Sequence, residues 1–175
     1  MDIVINPDVT GLAPRLLELY SEVAEIPGGI IRRKEEIDDA YISGFLSNAT
    51  KNGLILTAVD EGKLVGEIHA YTPDIYAFQH ILTDLTIVVA PDHQGKGIGR
   101  KLFGEFLRTV REKYPHILRI ELYVREHNTR NVAFYRSLGF VNEGRQEHKI
   151  FKSGAEPETP LHMAWFNPGY FVRSY

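Results

Sequence analysis

The chain has 175 residues, 43% apolar and 25% charged, with 20 Lys and Arg against 23 Asp and Glu for a net charge of -3. That mixture predicts one compact domain over 1-175, offers no global basic field for a nucleic-acid backbone, and with no cysteine excludes a thiolate nucleophile, an iron-sulfur centre and a Cys-type zinc site. No apolar run approaches the ~20 residues that span a bilayer, and Met1-Asp2-Ile3 lacks the basic-then-apolar order of a signal peptide, so a soluble cytoplasmic protein is expected, with neither membrane nor nucleic acid as partner.

Ile3, Val4 and Ile5 form a short β-type run closed by Asn6-Pro7. Leu12, Leu16, Leu19, Tyr20 and Val23 then recur at helical spacing until Pro27-Gly28-Gly29 breaks the pattern. Ile37, Tyr41, Phe45 and Leu46 mark a second amphipathic helix entered through the charges of Lys34 to Asp39. Leu54 to Val59 and Leu64 to Tyr71, joined by Asp60-Glu61-Gly62-Lys63, predict an antiparallel hairpin. Leu82 to Ala90 is a further strand, followed by a glycine-rich turn and a helix carrying Leu102, Phe103, Phe106, Leu107 and Val110. With Ile117 to Val124 as the next strand, 82-124 reads β-α-β, which favours a parallel pair and a right-handed crossover. Asn128 to Leu138 is a helix stopped by Gly139. Phe140 onwards returns to β, and a polar loop over Lys152 to Pro160 precedes a last strand at Leu161 to Phe166.

Gly95, Gly97 and Gly99 stand at alternate positions between a strand and a helix, where missing Cβ atoms and the helix dipole let backbone N-H groups converge on an anion. The same glycines also suit a bare tight turn. A P-loop would need G-x-x-x-x-G-K-[ST], and Lys101 is followed by Leu102; a dinucleotide fingerprint would need G-x-G-x-x-G near the first strand.

The segment Gln94-Gly95-Lys96-Gly97-Ile98-Gly99 resembles the [QR]-x-x-G-x-[GA] pyrophosphate motif of the GNAT superfamily of acetyl-CoA-dependent N-acetyltransferases. Asn128 to Phe140, with Tyr135 and Gly139-Phe140, is similar to the family's second motif, although Asn131 departs from its usual small residue. The resemblance implies an α/β fold, a mixed splayed sheet of about six or seven strands flanked by helices, with a cofactor-binding core at about 82-140 and a C-terminal hairpin at about 140-167. It implies acetyl-CoA as cosubstrate: diphosphate on the amides of Gly95, Lys96, Gly97, Ile98 and Gly99 below Gln94, pantetheine along an opened edge of Ile87, Val88 and Val89. Lys96, Arg100 and Lys101 are candidates for the phosphates, and Asn128 for the pantetheine or for capping its helix. An amine acceptor is the expected second partner, and the protein a monomer or homodimer.

Tyr135 occupies the family's general-acid position, and a phenol can reprotonate a departing thiolate. Asp84 is the leading candidate for the base, sharing by period-two alternation a face with Thr86 and Val88; Glu121, His69 and His80 are weaker candidates. A backbone amide near Val89 would hold the oxyanion. Tyr123 stands where some relatives that acetylate protein N-termini carry glutamate. With no H-x-x-x-H pair, no metal is expected. Acceptor choice would fall to the first two helices, the segment Pro27 to Lys34, the end of the fifth strand and the final hairpin, with the aromatic tail from Met163 to Tyr175 as a candidate cover; Arg32, Arg33 and Lys34 could meet an acidic acceptor, and Glu35, Glu36, Asp38 and Asp39 could attract a polyamine. The expected activity is acetyl transfer to a primary amine by direct attack in a ternary complex, with a catalytically silent acyl-CoA-binding or regulatory module as the alternative.

Overall fold

A computed structural model describes residues 4-6 and 8-171. Ile3 and Pro7, at the ends of the first expected strand, and the last four residues of the aromatic tail lie outside it. Among the described residues no helix is long and apolar enough to cross a membrane. The elements follow the order β1 (Val4–Asn6), α1 (Leu12–Ala24), α2 (Asp39–Asn52), β2 (Gly53–Asp60), β3 (Lys63–Tyr71), β4 (Ile81–Val89), α3 (Ile98–Lys113), β5 (Arg119–Arg125), α4 (Thr129–Ser137), β6 (Val141–Arg145) and β7 (Pro160–Phe166). The strands form one seven-stranded sheet in the order β1-β2-β3-β4-β5-β7-β6, antiparallel except for β4 against β5.

Helices α1 and α3 bury the faces their periodicity marked, Leu12, Leu16, Leu19, Tyr20 and Val23 on α1 and Leu102, Phe103, Phe106 and Val110 on α3, whereas α2 buries Ile42, Phe45 and Ala49 and leaves Tyr41 and Leu46 half-buried. Helix α2 starts later than its apolar pattern suggested. Asp38 caps it by accepting the Tyr41 N-H at 2.8 Å, so Ile37 precedes the helix and Lys34–Glu36 forms a separate 3-10 turn. The β2-β3 hairpin turns through Glu61 (φ 48) and Gly62 (φ 83), two left-handed residues that match the strand twist. Strand β3 separates the layers: a Cβ on Gly66 would lie 2.9 Å from Leu102 of α3, whereas Glu67 hydrogen-bonds Tyr20 of α1. The helices therefore cover both faces of the sheet.

The feature that positions the site lies between β4 and β5. These parallel neighbours pair only at Ile81↔Arg119 and Leu82↔Ile120, and beyond Leu82 they diverge. Divergence begins where β4 carries a bulge against β3: Tyr71 opposes Thr83 and His69 opposes Thr86, so β4 spends one residue more than its partner. Asp84 sits in that bulge with φ 52. Beyond the bulge Thr86 and Val88 oppose His69 and Glu67 and share a face, Thr86 at the border of a cavity and Val88 buried in the core, and Asp84 lines the same cavity as Thr86.

Candidate active site

The edge of β4 that faces the opening is backbone. Ala90 N-H donates to Val65 O at 2.9 Å, on the β3 side. Strand alternation turns the amides of Val88 and Thr86 the same way and those of Val89 and Ile87 toward the open side. Val88 thus contributes packing, while the peptide groups of Ile87 and the N-H of Val89 face the gap between β4 and β5. At the end of the strand the Gln94 side-chain amide donates to Val89 O at 3.1 Å, tying the turn to the strand. Gly95 (φ 76) and Gly97 (φ 81) are both left-handed, and Gly97 is the N-cap of α3.

The first helical bond there runs from Lys101 N-H to Gly97 O at 3.1 Å, so the amides of Ile98, Gly99 and Arg100 have no acceptor within the helix. These amides and the helix dipole fit an anionic group, and the open β4 edge fits a chain of amides leading from it. Ile98 acts here only through its backbone, since its side chain is buried. Lys96 and Lys101 are exposed. Arg100 reaches instead toward α4, donating to Ser137 Oγ at 3.1 Å and lying 5.3 Å from the Phe134 ring.

The diverging strands border a cavity of about 520 Å³. Its walls are Asp84 to Ile87 of β4 and Leu122 to Arg125 of β5, with Tyr135, Asn128 and Asn131 on one side and Gly28 to Arg32 on another. Tyr135 is 8% exposed and packs edge-on against Phe103, with ring centroids 5.6 Å apart. Burial alone pushes its phenol up to about 12, so the group stays protonated across the neutral range. Asn128 caps α4 by accepting the Asn131 N-H at 3.1 Å while also lining the cavity, which makes its two anticipated roles compatible.

Asp84 lines the same cavity beside Tyr71 and Tyr41. Burial, and after it the Asp84 carboxylate, raises the Tyr71 phenol above its ordinary range. Behind them is a fully buried polar cluster: Tyr20 donates to Glu67 Oε2 at 2.6 Å, and the His69 Nδ1 is 3.0 Å from Glu67 Oε1. Phe45 stacks on the His69 ring at 4.1 Å. His69 is thereby fixed in the cavity wall. His80 and Glu121 do not line the cavity; Glu121 is held by Arg119 at 2.9 Å on β5. Sequence reasoning missed Asn131, Tyr71 and Arg125 as lining residues, and treated Tyr41 and Phe45 as an ordinary helix face.

Residues 13–140 match the Acetyltransferase (GNAT) family. An L-amino acid N-acyltransferase of Escherichia coli K12 is 34% identical over 129 residues, covering 72% of each chain. A spermidine N(1)-acetyltransferase of Vibrio cholerae is 27% identical over 120 residues, 69% of this chain, which spans 66% of that relative's length. In fold, the chain is similar to a putative acetyltransferase of Salmonella typhimurium solved with its cofactor acetyl-CoA, with a TM-score of 0.82, 17% identity and 99% of each chain covered. The glycine turn, the splayed strands and Tyr135 all fall within the matched region, and the chain belongs to the GNAT acetyltransferase family.

Proposed function

We propose that this protein transfers an acetyl group from acetyl-CoA to a primary amine by direct attack within a ternary complex. The observation that carries this reading is the open β4 edge, ending in the Gly95-Gly97 turn and opening into a cavity that holds a buried, protonated Tyr135. Acetyl-CoA supplies an activated thioester. The amides of Gly95 to Arg100 receive its diphosphate, and Ile87 and Val89 pair with its pantetheine as a missing strand would. Asn128 borders the pantetheine, and the cations of Lys96 and Lys101 stand near enough in sequence to add to the phosphate field.

The cavity brings the acceptor side to Asp84. Its carboxylate receives the ammonium and takes the proton that the amine must lose before attack. The new C-N bond forms as the C-S bond breaks, a backbone amide near Val89 holds the carbonyl oxygen, and the Tyr135 phenol returns a proton to the thiolate sulfur. Positioning in the cavity supplies part of the rate independently of either side chain.

The test is CoA-thiol release across a panel of amino acids, polyamines and N-terminal peptides, with acetyl-CoA binding followed by calorimetry on the same sample. Acceptor-dependent release is the expected result. Donor binding without release for any amine supports an acyl-CoA-binding module, and no donor binding overturns the reading.

A further inference from the structure

We propose that the acceptor is an amino acid, its ammonium held by Asp84 and its carboxylate by Arg32; this rests on the acetyl-transfer reading above. Three cations follow one another at 32-34, and two are already matched: Arg33 with Glu36 at 3.7 Å and Lys34 with Glu25. Arg125, the other guanidinium of the cavity wall, is matched by Glu158 at 2.8 Å. Arg32 forms no close ion pair among the described residues, although its charge helps to lower the Glu36 carboxyl; its guanidinium lies 4.1 Å over the Tyr41 ring and hydrogen-bonds that side chain, inside the cavity lining.

Asp84 is the mirror case. It is the one carboxylate among the cavity's lining residues, and its partner is the Tyr71 hydroxyl, which donates to it, rather than a cation. Arg32, Tyr41 and Asp84 all line this one cavity. Both groups are exposed, and a cavity with one cation and one carboxylate on its wall, not paired with each other, offers an opposite charge to each end of a ligand carrying both signs. An amino acid does this. A polyamine would place a second ammonium toward Arg32, a like-charge contact that selects against it. Ile31 and Phe45 in the same wall suit an apolar side chain.

A guanidinium-carboxylate pair is among the stronger polar contacts, and its loss is expected to cost about 30- to 100-fold in affinity or kcat/KM. The experiment compares L-leucine with 3-methylbutylamine and L-phenylalanine with 2-phenylethylamine, each rate corrected for its fraction of free amine, with spermidine as a further acceptor. Calorimetry of the amino acid into CoA-saturated protein supplies a second readout. The wild type should prefer each amino acid over its decarboxylated partner by at least about 30-fold. Arg32→Gln should collapse that ratio and abolish the calorimetric signal, and Arg32→Lys should restore part of both, with acetyl-CoA affinity reporting that each variant is folded. A wild-type ratio near one, spermidine as the best acceptor, or an equal loss on both members of a pair in Arg32→Gln overturns the proposal. Acetylation of peptides alone overturns it too while leaving the acetyl-transfer reading standing. Absence of donor binding removes both.

Discussion

The two ends of the cavity are built from different material. The end we propose for the donor is backbone: peptide groups of Ile87 and Val89 on an open strand edge, then the amides that follow the left-handed Gly95 and Gly97. The end we propose for the acceptor is side chain: Asp84, Tyr41, Arg32 and the wall formed by His69 and Phe45. Backbone recognises what every acyl-CoA shares and tolerates changes of side chain so long as the dihedrals survive. Side chains can be exchanged one at a time, so a single scaffold can change its amine while keeping its donor.

Tyr135, between the ends, should give the largest single effect. Tyr135→Phe is expected to lower kcat by about 100- to 1000-fold, in the usual range for a lost general acid, with acetyl-CoA affinity nearly unchanged in calorimetry. An unaltered kcat would move the acid elsewhere. On the acceptor side, Glu67 is fully buried and serves both Tyr20 and His69, so Glu67→Ala strands two polar groups in the core. Urea unfolding should register a loss of about 3 kcal/mol, and Tyr20→Phe about 1 kcal/mol.

On the donor side, Gly97→Val forces a β-branched residue to φ 81 at the N-cap of α3. Acetyl-CoA binding should weaken by about 30-fold while the relative kcat/KM among amines stays fixed; a changed acceptor preference would show that the two ends are not separable.

A further expected effect is a pH dependence of stability. The Tyr135 phenol sits at about 12 in the folded chain against an ordinary 10. The unfolded chain therefore loses this proton first, and the group favours the folded state fully below pH 10 and progressively less as pH rises through 12. The loss is about 2 kcal/mol, with Tyr20 acting in the same direction because burial and then Glu67 raise its phenol as well. Urea midpoints at pH 9 and 12 should converge in Tyr135→Phe relative to the wild type.

The donor end was legible in the sequence because its requirements are local. Left-handed backbone at fixed spacing asks for glycine, and Gln94 to Gly99 writes that demand into six consecutive residues. Tyr135 was equally legible through its place between Asn128 and Gly139-Phe140. The acceptor end depends on contacts across the fold. Nothing near Tyr41 or Phe45 distinguishes a core-facing ring from a cavity-facing one, and each proved to be partly both. Arg32 could be separated from Arg33 and Lys34 only once their partners Glu36 and Glu25 were located.

The bulge at Asp84 illustrates the same limit from the opposite side. Strand periodicity identified the residue but not the bulge that holds it, because one extra residue in β4 is visible only in the register against β3. The late start of α2 was set by a single cap at Asp38, which outweighed the apolar signal of Ile37.

The unpaired stretch of β4 has a further consequence. Peptide groups left open in the middle of a sheet are chemically the same as those at its rim, and a rim of that kind recruits other chains by strand addition. Outer strands blunt this with charge and short length, but Ile87 and Val89 are apolar and stand beside a gap. A donor lying along them would act as a chaperone for its own enzyme: when acyl-CoA runs low the molecule would be both idle and adhesive, and its solubility would track the supply of its cosubstrate.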